Sequence, residues 1–253
     1  MSQHQLFPKR VSARLAPVGT GITAPWWIRA DDGLCYIIKD DAPPSAPSVR
    51  ACEYLWSAVA RSVGLPAPTP EVIEDVTGRL LFGSRREQSS IGKDHATCLL
   101  HLLGGQVHEA GKHLSRIYAF DLFCGNWDRH PGNYLIINET SALVVFAIDF
   151  SHAPMHPGCA IPGFDPLILF NSATRVWFKT VVAPYGPDVA SATETVDRLA
   201  KLPVAEIEAI LTSIPLDWLS PADRDGIIVW WRDGGCKARA DLLLKGLKDG
   251  TYI

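Results

Sequence analysis

Hydrophobic and polar positions along this chain change period about a third of the way in. Before that point the apolar residues alternate over short runs. Trp26 to Ala30 and Leu34 to Lys39 are β-prone stretches joined by Asp31-Asp32-Gly33, where Gly33 accepts the positive φ of a tight hairpin. A helix is predicted over 49–63, with Ser48 to cap its start and Gly64-Leu65-Pro66 to stop it. A second hairpin, Glu71 to Val76 and Arg79 to Phe82, turns at Thr77-Gly78. Past Gly83 the period becomes mostly helical, over 94–103, 114–124, 190–200, 204–213 and 221–247 with a break at Gly234-Gly235. Ser220-Pro221-Ala222-Asp223 has the cap, the early Pro and the acid of a helix start. The pattern predicts an α+β chain in two lobes with a cleft between them. Residues 1–84 form a small β-rich N-lobe with one helix, and 85–253 a larger, mainly α-helical C-lobe.

Composition narrows the class. Of 253 residues 47% are hydrophobic and 20% charged, an ordinary globular balance, and Lys+Arg 24 against Asp+Glu 27 gives −3. That balance argues against a generally basic nucleic-acid surface. The longest apolar run, Ala142 to Ile148, falls far short of the about 20 residues of a membrane span, and the first ten residues lack the apolar core of a secretory signal. Six scattered cysteines without a CxxC pair suggest reduced thiols and a cytoplasmic home rather than a zinc site.

The chemistry concentrates in Gly125 to Asp149. A helix ends at Gly125, and a polar loop follows with Asp128, Arg129, His130 and Asn133 (126–133). A hairpin, 134–149, then runs through Tyr134–Ile137 and Ala142–Ile148. A turn centred on Glu139-Thr140 pairs positions that sum to 279, setting Tyr134 against Val145 and Asp149 against His130, with a bulge free to shift this by a residue or two. Two carboxylates, an amide and an imidazole then meet at one end of the hairpin. Each alone has a bland structural reading, as a turn cap or a strand end. Together they point to chemistry, because Asp149 closes an apolar strand where a lone charge is costly. Hard divalent cations take oxygen ligands, and Mg²⁺ is usually held by one or two carboxylates plus substrate phosphates. Asn133 and Asp149 suit such an ion, leaving Asp128 or His130 to handle the proton of an attacking hydroxyl.

Upstream, Lys39 closes a β-run, and Glu53 shares a helix face with Val49, Trp56 and Ala60, so it interrupts an apolar stripe and wants a cation such as Lys39. Gly19-Thr20-Gly21 offers a turn able to lie against phosphates. Other signals fail. Gly92-Lys93 lacks both anchors of a P-loop, and His108-Glu109 with His113 misses zincin spacing by one residue. Arg85-Arg86 and Asp223-Arg224-Asp225 read as solvated faces, the former near enough to a hinge to touch substrate. Trp26-Trp27 and Trp230-Trp231 read as packing or surface stacking rather than nucleic-acid platforms, since no basic clusters surround them.

Lys on a third strand, Glu on the next helix, D-x-x-x-x-N after a helix and D-F at a hairpin end resemble the protein-kinase-like superfamily. Asp128-Arg129-His130-Pro131-Gly132-Asn133 and Ile148-Asp149-Phe150-Ser151-His152 resemble the D-R-H-x-x-N and I-D-F-G-H signatures of phosphatidylinositol 3/4-kinases. Glu53-Tyr54-Leu55 leading to Gly64-Leu65-Pro66 is more similar to the HipA-like kinase domain, over residues 15 to 250. The resemblance implies a kinase using ATP and Mg²⁺. Gly19, Thr20, Gly21, Lys39 and Glu53 would serve the nucleotide, with Lys39 on its phosphates. Asp128 would act on the acceptor hydroxyl and His130 support the loop or the developing charge, while Asn133 and Asp149 hold the metal. The acceptor expected is a protein Ser/Thr, with self-phosphorylation near Thr20 or Thr23 and room for an antitoxin-like partner. The alternatives are a small-molecule or lipid-headgroup kinase, or a nucleotide-binding pseudokinase. Asn126-Trp127 stand where His-Arg more often precedes the loop aspartate, Ser151 where the glycine of D-F-G stands, and Ala24 at the last glycine of the phosphate loop.

Overall fold

The computed structural model describes residues 8–18, 25–41, 48–87, 89–91, 95–139, 142–154 and 172–253. Five strands come first: β1 (Lys9–Pro17), β2 (Trp26–Ala30), β3 (Cys35–Lys39), then, after the helix α1 (Val49–Ser62), β4 (Pro70–Glu74) and β5 (Leu80–Arg85). They close into a barrel in the order β1-β2-β3-β5-β4, the last contact being parallel, Lys9 against Ile73 and Arg10 against Glu74. Alternation decides what fills it. Tyr36 and Ile38 of β3 point in beside Ile28, Ala30, Ile73 and Leu81, while Cys35, Ile37 and Lys39 take the other face. Both expected hairpins form, with Gly33 and Gly78 at positive φ in their turns. β1 carries no such signal: its residues are mostly exposed, and only pairing with β2 and β4 defines it.

α1 starts where Ser48 Oγ accepts the Ala51 N–H. The remainder is α2 (His95–Leu103), α3 (Ala110–Cys124), a hairpin of β6 (Tyr134–Glu139) and β7 (Ala142–Ala147), then α4 (Ala173–Val182), α5 (Val189–Ala200), α6 (Val204–Thr212), α7 (Pro221–Arg232) and α8 (Gly235–Lys248). α3 is the axis of this part, buried along nearly its whole length against α4, α5, α8 and β7. Residues 86–87 and 89–91 strap the two regions together: Arg86 N–H bonds Cys35 O, Ile91 N–H bonds Ile136 O, and Asn138 N–H bonds Ser89 O, each at 2.9 Å. No helix among the described residues is long and apolar enough to cross a membrane.

Three expectations need correction. The β6–β7 pairs sum to 281, with Tyr134 against Ala147, so the hairpin slips two residues from the predicted register. Because the slip is two, every side chain keeps its face. The ladder ends at Tyr134 and Ala147, so the left-handed Asp149 lies beyond it, while the Ile148 N–H still reaches the Asn133 carbonyl at 3.1 Å. Helix α4 lies outside the predicted elements, since its Val-, Thr- and Trp-rich run has strand propensity, although Ser172 caps it and Thr174, Phe178, Val181 and Val182 keep helical spacing on its buried face. Arg224, read as solvated, is half-buried and donates to Leu211 O, Ile214 O and Leu219 O, capping the end of α6.

Gly111 lets α3 approach the turn after α4. A Cβ there would lie 2.6 Å from the Gly186 carbonyl oxygen, a backbone atom with nowhere to go. Gly111→Ala should therefore cost about 1–3 kcal/mol in chemical denaturation. Wild-type stability in that variant would show that the two backbones can separate freely.

Candidate active site

α3 ends at Gly125 in the left-handed conformation (φ +74°), the extended loop 126–130 follows, and Pro131–Asn133 make one 3-10 turn. A buried ion pair holds this loop. Asp121, in the last turn of α3, accepts from Arg129 Nε at Oδ2 and from Nη2 at Oδ1, both at 2.8 Å, and the pair is closed to solvent. Arg129 Nη1 donates to the Asn133 carbonyl at 2.7 Å and also to that of Ile148. One guanidinium thus ties the helix end, the turn and the exit of β7 together. Thr174 Oγ1 of α4 accepts the Arg129 N–H at 2.8 Å and donates to Asn126 O at 2.7 Å. Asn126 Nδ2 donates to Asp121 Oδ1 at 3.0 Å.

Facing the loop, Lys39 Nζ lies 2.5 Å from Glu53 Oε1 and 3.1 Å from Asp149 Oδ2. Glu53 Oε2 accepts the Phe150 N–H at 3.0 Å, so the barrel, α1 and the segment after β7 meet at one point. Burial pushes the Glu53 carboxyl up to about 7 against the pull of Lys39. Burial would raise Asp149 too, but Lys39 and the Ser151 hydroxyl outweigh it and hold that carboxyl well below the usual range. Burial disfavours the Lys39 ammonium, and the two carboxylates overcome this and keep it charged.

Asp149 itself is left-handed (φ +63°), a conformation few residues other than glycine tolerate. Its Oδ1 accepts from Ser151 Oγ at 2.6 Å and Ser151 N at 3.3 Å, fixing the strained residue locally. Asn133 Nδ2 donates to Asp128 O at 2.8 Å, so Oδ1 is the amide atom left to ligate a cation. The Asp128 carboxylate is a third exposed and lies 3.5 Å from His152 Nε2, whose ring packs on Trp127. His130 Nδ1 accepts the Gly132 N–H at 3.1 Å, which places the proton of the neutral ring on Nε2. Burial lowers the His130 pKa and favours that neutral form. The ring stacks on His95 at 5.6 Å.

Lys39, Glu53, Asp128, His130, Asn133 and Asp149 thus fall around one loop and one strand end. Gly19, Thr20 and Gly21, with Thr23, lie outside the described residues. Among the described residues no three His, Cys, Asp or Glu side chains form a metal cage. Asn133 Oδ1 and the Asp149 carboxylate supply two oxygens, a donor set suited to Mg²⁺ completed by phosphate oxygens and water.

A family model for HipA-like kinases matches residues 11–227. The chain belongs to the HipA-like kinase family. A search of curated protein sequences returns no significant match. Among solved structures, the Helicobacter pylori proinflammatory kinase CtkA is similar at TM-score 0.57 and 12% identity, over 94% of this chain and 96% of that one. The HipA of a Shewanella oneidensis toxin–antitoxin complex with HipB and operator DNA is similar at TM-score 0.50 and 13% identity, over 85% of this chain and 59% of that one. A Golgi casein kinase is similar at TM-score 0.50 and 12% identity, over 95% and 72%. These likenesses show a kinase-like fold.

The sequence reading of this HipA-like kinase passed over Asp121 and Thr174, named Asn126 only as a departure from the family pattern, and gave Arg129 no role. Asp121 left a usable signal: an acid inside Tyr118-Ala119-Phe120-Asp121-Leu122-Phe123 cannot be buried without a cation. Thr174 left none, because only tertiary packing brings α4 to the loop.

Lys39→Met should strand two carboxylates and destabilise by about 3–5 kcal/mol at pH 7. Glu53 already titrates near 7 in the folded protein, above the value of an unfolded Glu, and losing Lys39 raises it further. The folded variant then binds protons that the unfolded chain does not, so its stability should recover as pH falls from 7 to 5. Urea melts at both pH values test this; loss of stability on acidification would contradict it. Asp121→Asn leaves Arg129 charged and buried, for a loss of about 3–5 kcal/mol, with the 126–133 amides exchanging faster. A variant with wild-type stability and protection would show that the loop is held some other way.

Proposed function

We propose that this HipA-like kinase transfers the γ-phosphoryl group of ATP, with Mg²⁺, to a protein Ser or Thr hydroxyl. The observation that carries the reading is the Lys39–Glu53–Asp149 cluster beside the 128–133 loop, because it sets an ammonium for phosphates next to a carboxylate able to take their metal ion. In this reading residues 1–84, including α1, form a lobe over the nucleotide, and 85–253 form the catalytic base.

Each residue then has a task. Lys39 offsets charge on the α- and β-phosphates, and Glu53 fixes the direction of its ammonium. Asn133 Oδ1 and Asp149 would hold the metal, which when bound would offset the charge that grows on the phosphate oxygens. The left-handed backbone of Asp149 and the Ser151 hydroxyl on its Oδ1 hold the carboxylate in one orientation beside Lys39. Asp128 accepts the proton of the attacking hydroxyl; its partial exposure leaves room for a bulky acceptor. His130, with its proton on Nε2, donates a hydrogen bond toward the transferring group rather than taking a proton. The oxygen of the acceptor bonds to phosphorus, the bond to the ADP oxygen breaks, and the hydroxyl proton leaves on Asp128.

Asp128→Ala should abolish phosphate transfer to protein, a loss of ~100-fold or more, and leave MgATP binding unchanged. Asp149→Ala should remove the Mg²⁺-dependent rise in melting temperature that ATP gives the wild type. The two are read by radiolabel transfer and thermal shift. Wild-type protein whose melting ignores millimolar MgATP would refute the reading.

A further inference from the structure

α1 carries Glu53, yet much of what fixes it comes from the far end of the chain. Arg50 and Ser57 are polar residues of this helix that are nonetheless buried. The cover over Arg50 is the segment after α6. Trp218, 3% exposed, lies beneath the Arg50 guanidinium at 5.2 Å and meets the Tyr54 ring edge-on at 6.4 Å. Arg50 Nη1 donates to Leu80 O at 2.6 Å, Trp218 Nε1 donates to the same carbonyl at 3.3 Å, and Asp217 Oδ2 lies 3.4 Å from Arg50 Nη1. Tyr54 also hydrogen-bonds Ser213. The other end of the helix is tied down as well. Ser62 Oγ donates to Glu206 of α6 at 2.8 Å, and Arg198 of α5 donates to Val63 O at 3.2 Å.

Arg50, Tyr54 and Ser57 thus flank Glu53 within one turn on either side, and Trp218 touches the first two. A helix pressed inward at these residues has little freedom to roll. Rolling is the motion that would lift Glu53 Oε1 from Lys39 and Oε2 from the Phe150 N–H, because both bonds leave the helix on its inner face.

We propose that Trp218 is a positioning residue: the segment 213–218, far along the chain from the site, holds α1 at the depth where Glu53 meets Lys39. The aromatic ring of Trp218 supplies the contact with Arg50 and Tyr54, which Phe keeps while losing the Nε1 bond to Leu80 O, and a branched aliphatic side chain keeps neither. The inference rests on the nucleotide reading of Lys39 and Glu53, and its test separates the two.

The test is calorimetric titration of the full chain with the magnesium complex of adenylyl imidodiphosphate, in wild-type and Glu53→Gln backgrounds. Glu53→Gln should weaken binding. Trp218→Leu should weaken it by ~3- to 10-fold in the wild-type background, Trp218→Phe should restore most of the loss, and Trp218→Leu should add nothing once Glu53 is Gln. Equal weakening in both backgrounds, or a lower melting temperature with unchanged affinity, overturns the proposal and leaves the nucleotide reading standing. Wild type that binds no nucleotide overturns both. If circular dichroism shows Trp218→Leu unfolded, Tyr54→Leu removes the same contact from the other side and is held to the same outcomes.

Discussion

A guanidinium sealed from water must spend its donors inside the protein, and that constraint organises the centre of this molecule. Arg129 gives two hydrogen bonds to Asp121 and two more to main-chain carbonyls, between the rings of Tyr134 and Phe150. Replacing such a pair with apolar residues often costs nothing, so its value here is geometric rather than energetic. The carbonyls it selects belong to Asn133 and to the residue before Asp149. Whatever those two side chains bind, their separation is set by one planar fork.

The second charge cluster differs in kind. Lys39, Glu53 and Asp149 put one cation between two carboxylates, with a residual negative charge and partial access to solvent at Asp149. The Arg129 pair is closed to solvent and matched one to one, whereas this cluster sets two carboxylates against one ammonium. The strain at Asp149, held by Ser151, belongs with it: a side chain kept in an uncommon backbone state is one the surrounding structure has aimed. Closed pair and open cluster meet the chain at consecutive residues, Arg129 at the Ile148 carbonyl and Lys39 at the Asp149 carboxylate.

Much of this was legible before any coordinates. The hairpins at Gly33 and Gly78, the capped helix after Ser48 and the break near Gly234 follow from turn and cap chemistry acting over four or five residues. Glu53 was legible for a different reason, since a carboxylate in an apolar helical stripe has to find a cation. The same logic applied to Asp121 and was not followed through, because the apolar residues around it read simply as core. Helix α4 was harder to read: its Val, Thr and Trp favour a strand, against the helical spacing of Thr174, Phe178, Val181 and Val182, and the stacking of Phe178 on Tyr118 decides it.

What sequence determines here is local and alternating: which residues turn, which face of a strand is apolar, and which charged groups are too expensive to leave alone. Parity survived even where register did not, because a two-residue slip of the β6–β7 hairpin keeps every side chain on its face. What only the tertiary structure decided are the partners. Arg129 had several acids to choose from, Lys39 took two carboxylates rather than one, and Trp218 came to rest on α1 from more than 150 residues away. Such choices depend on distances between elements, which packing of the whole core sets and no short stretch of chain contains.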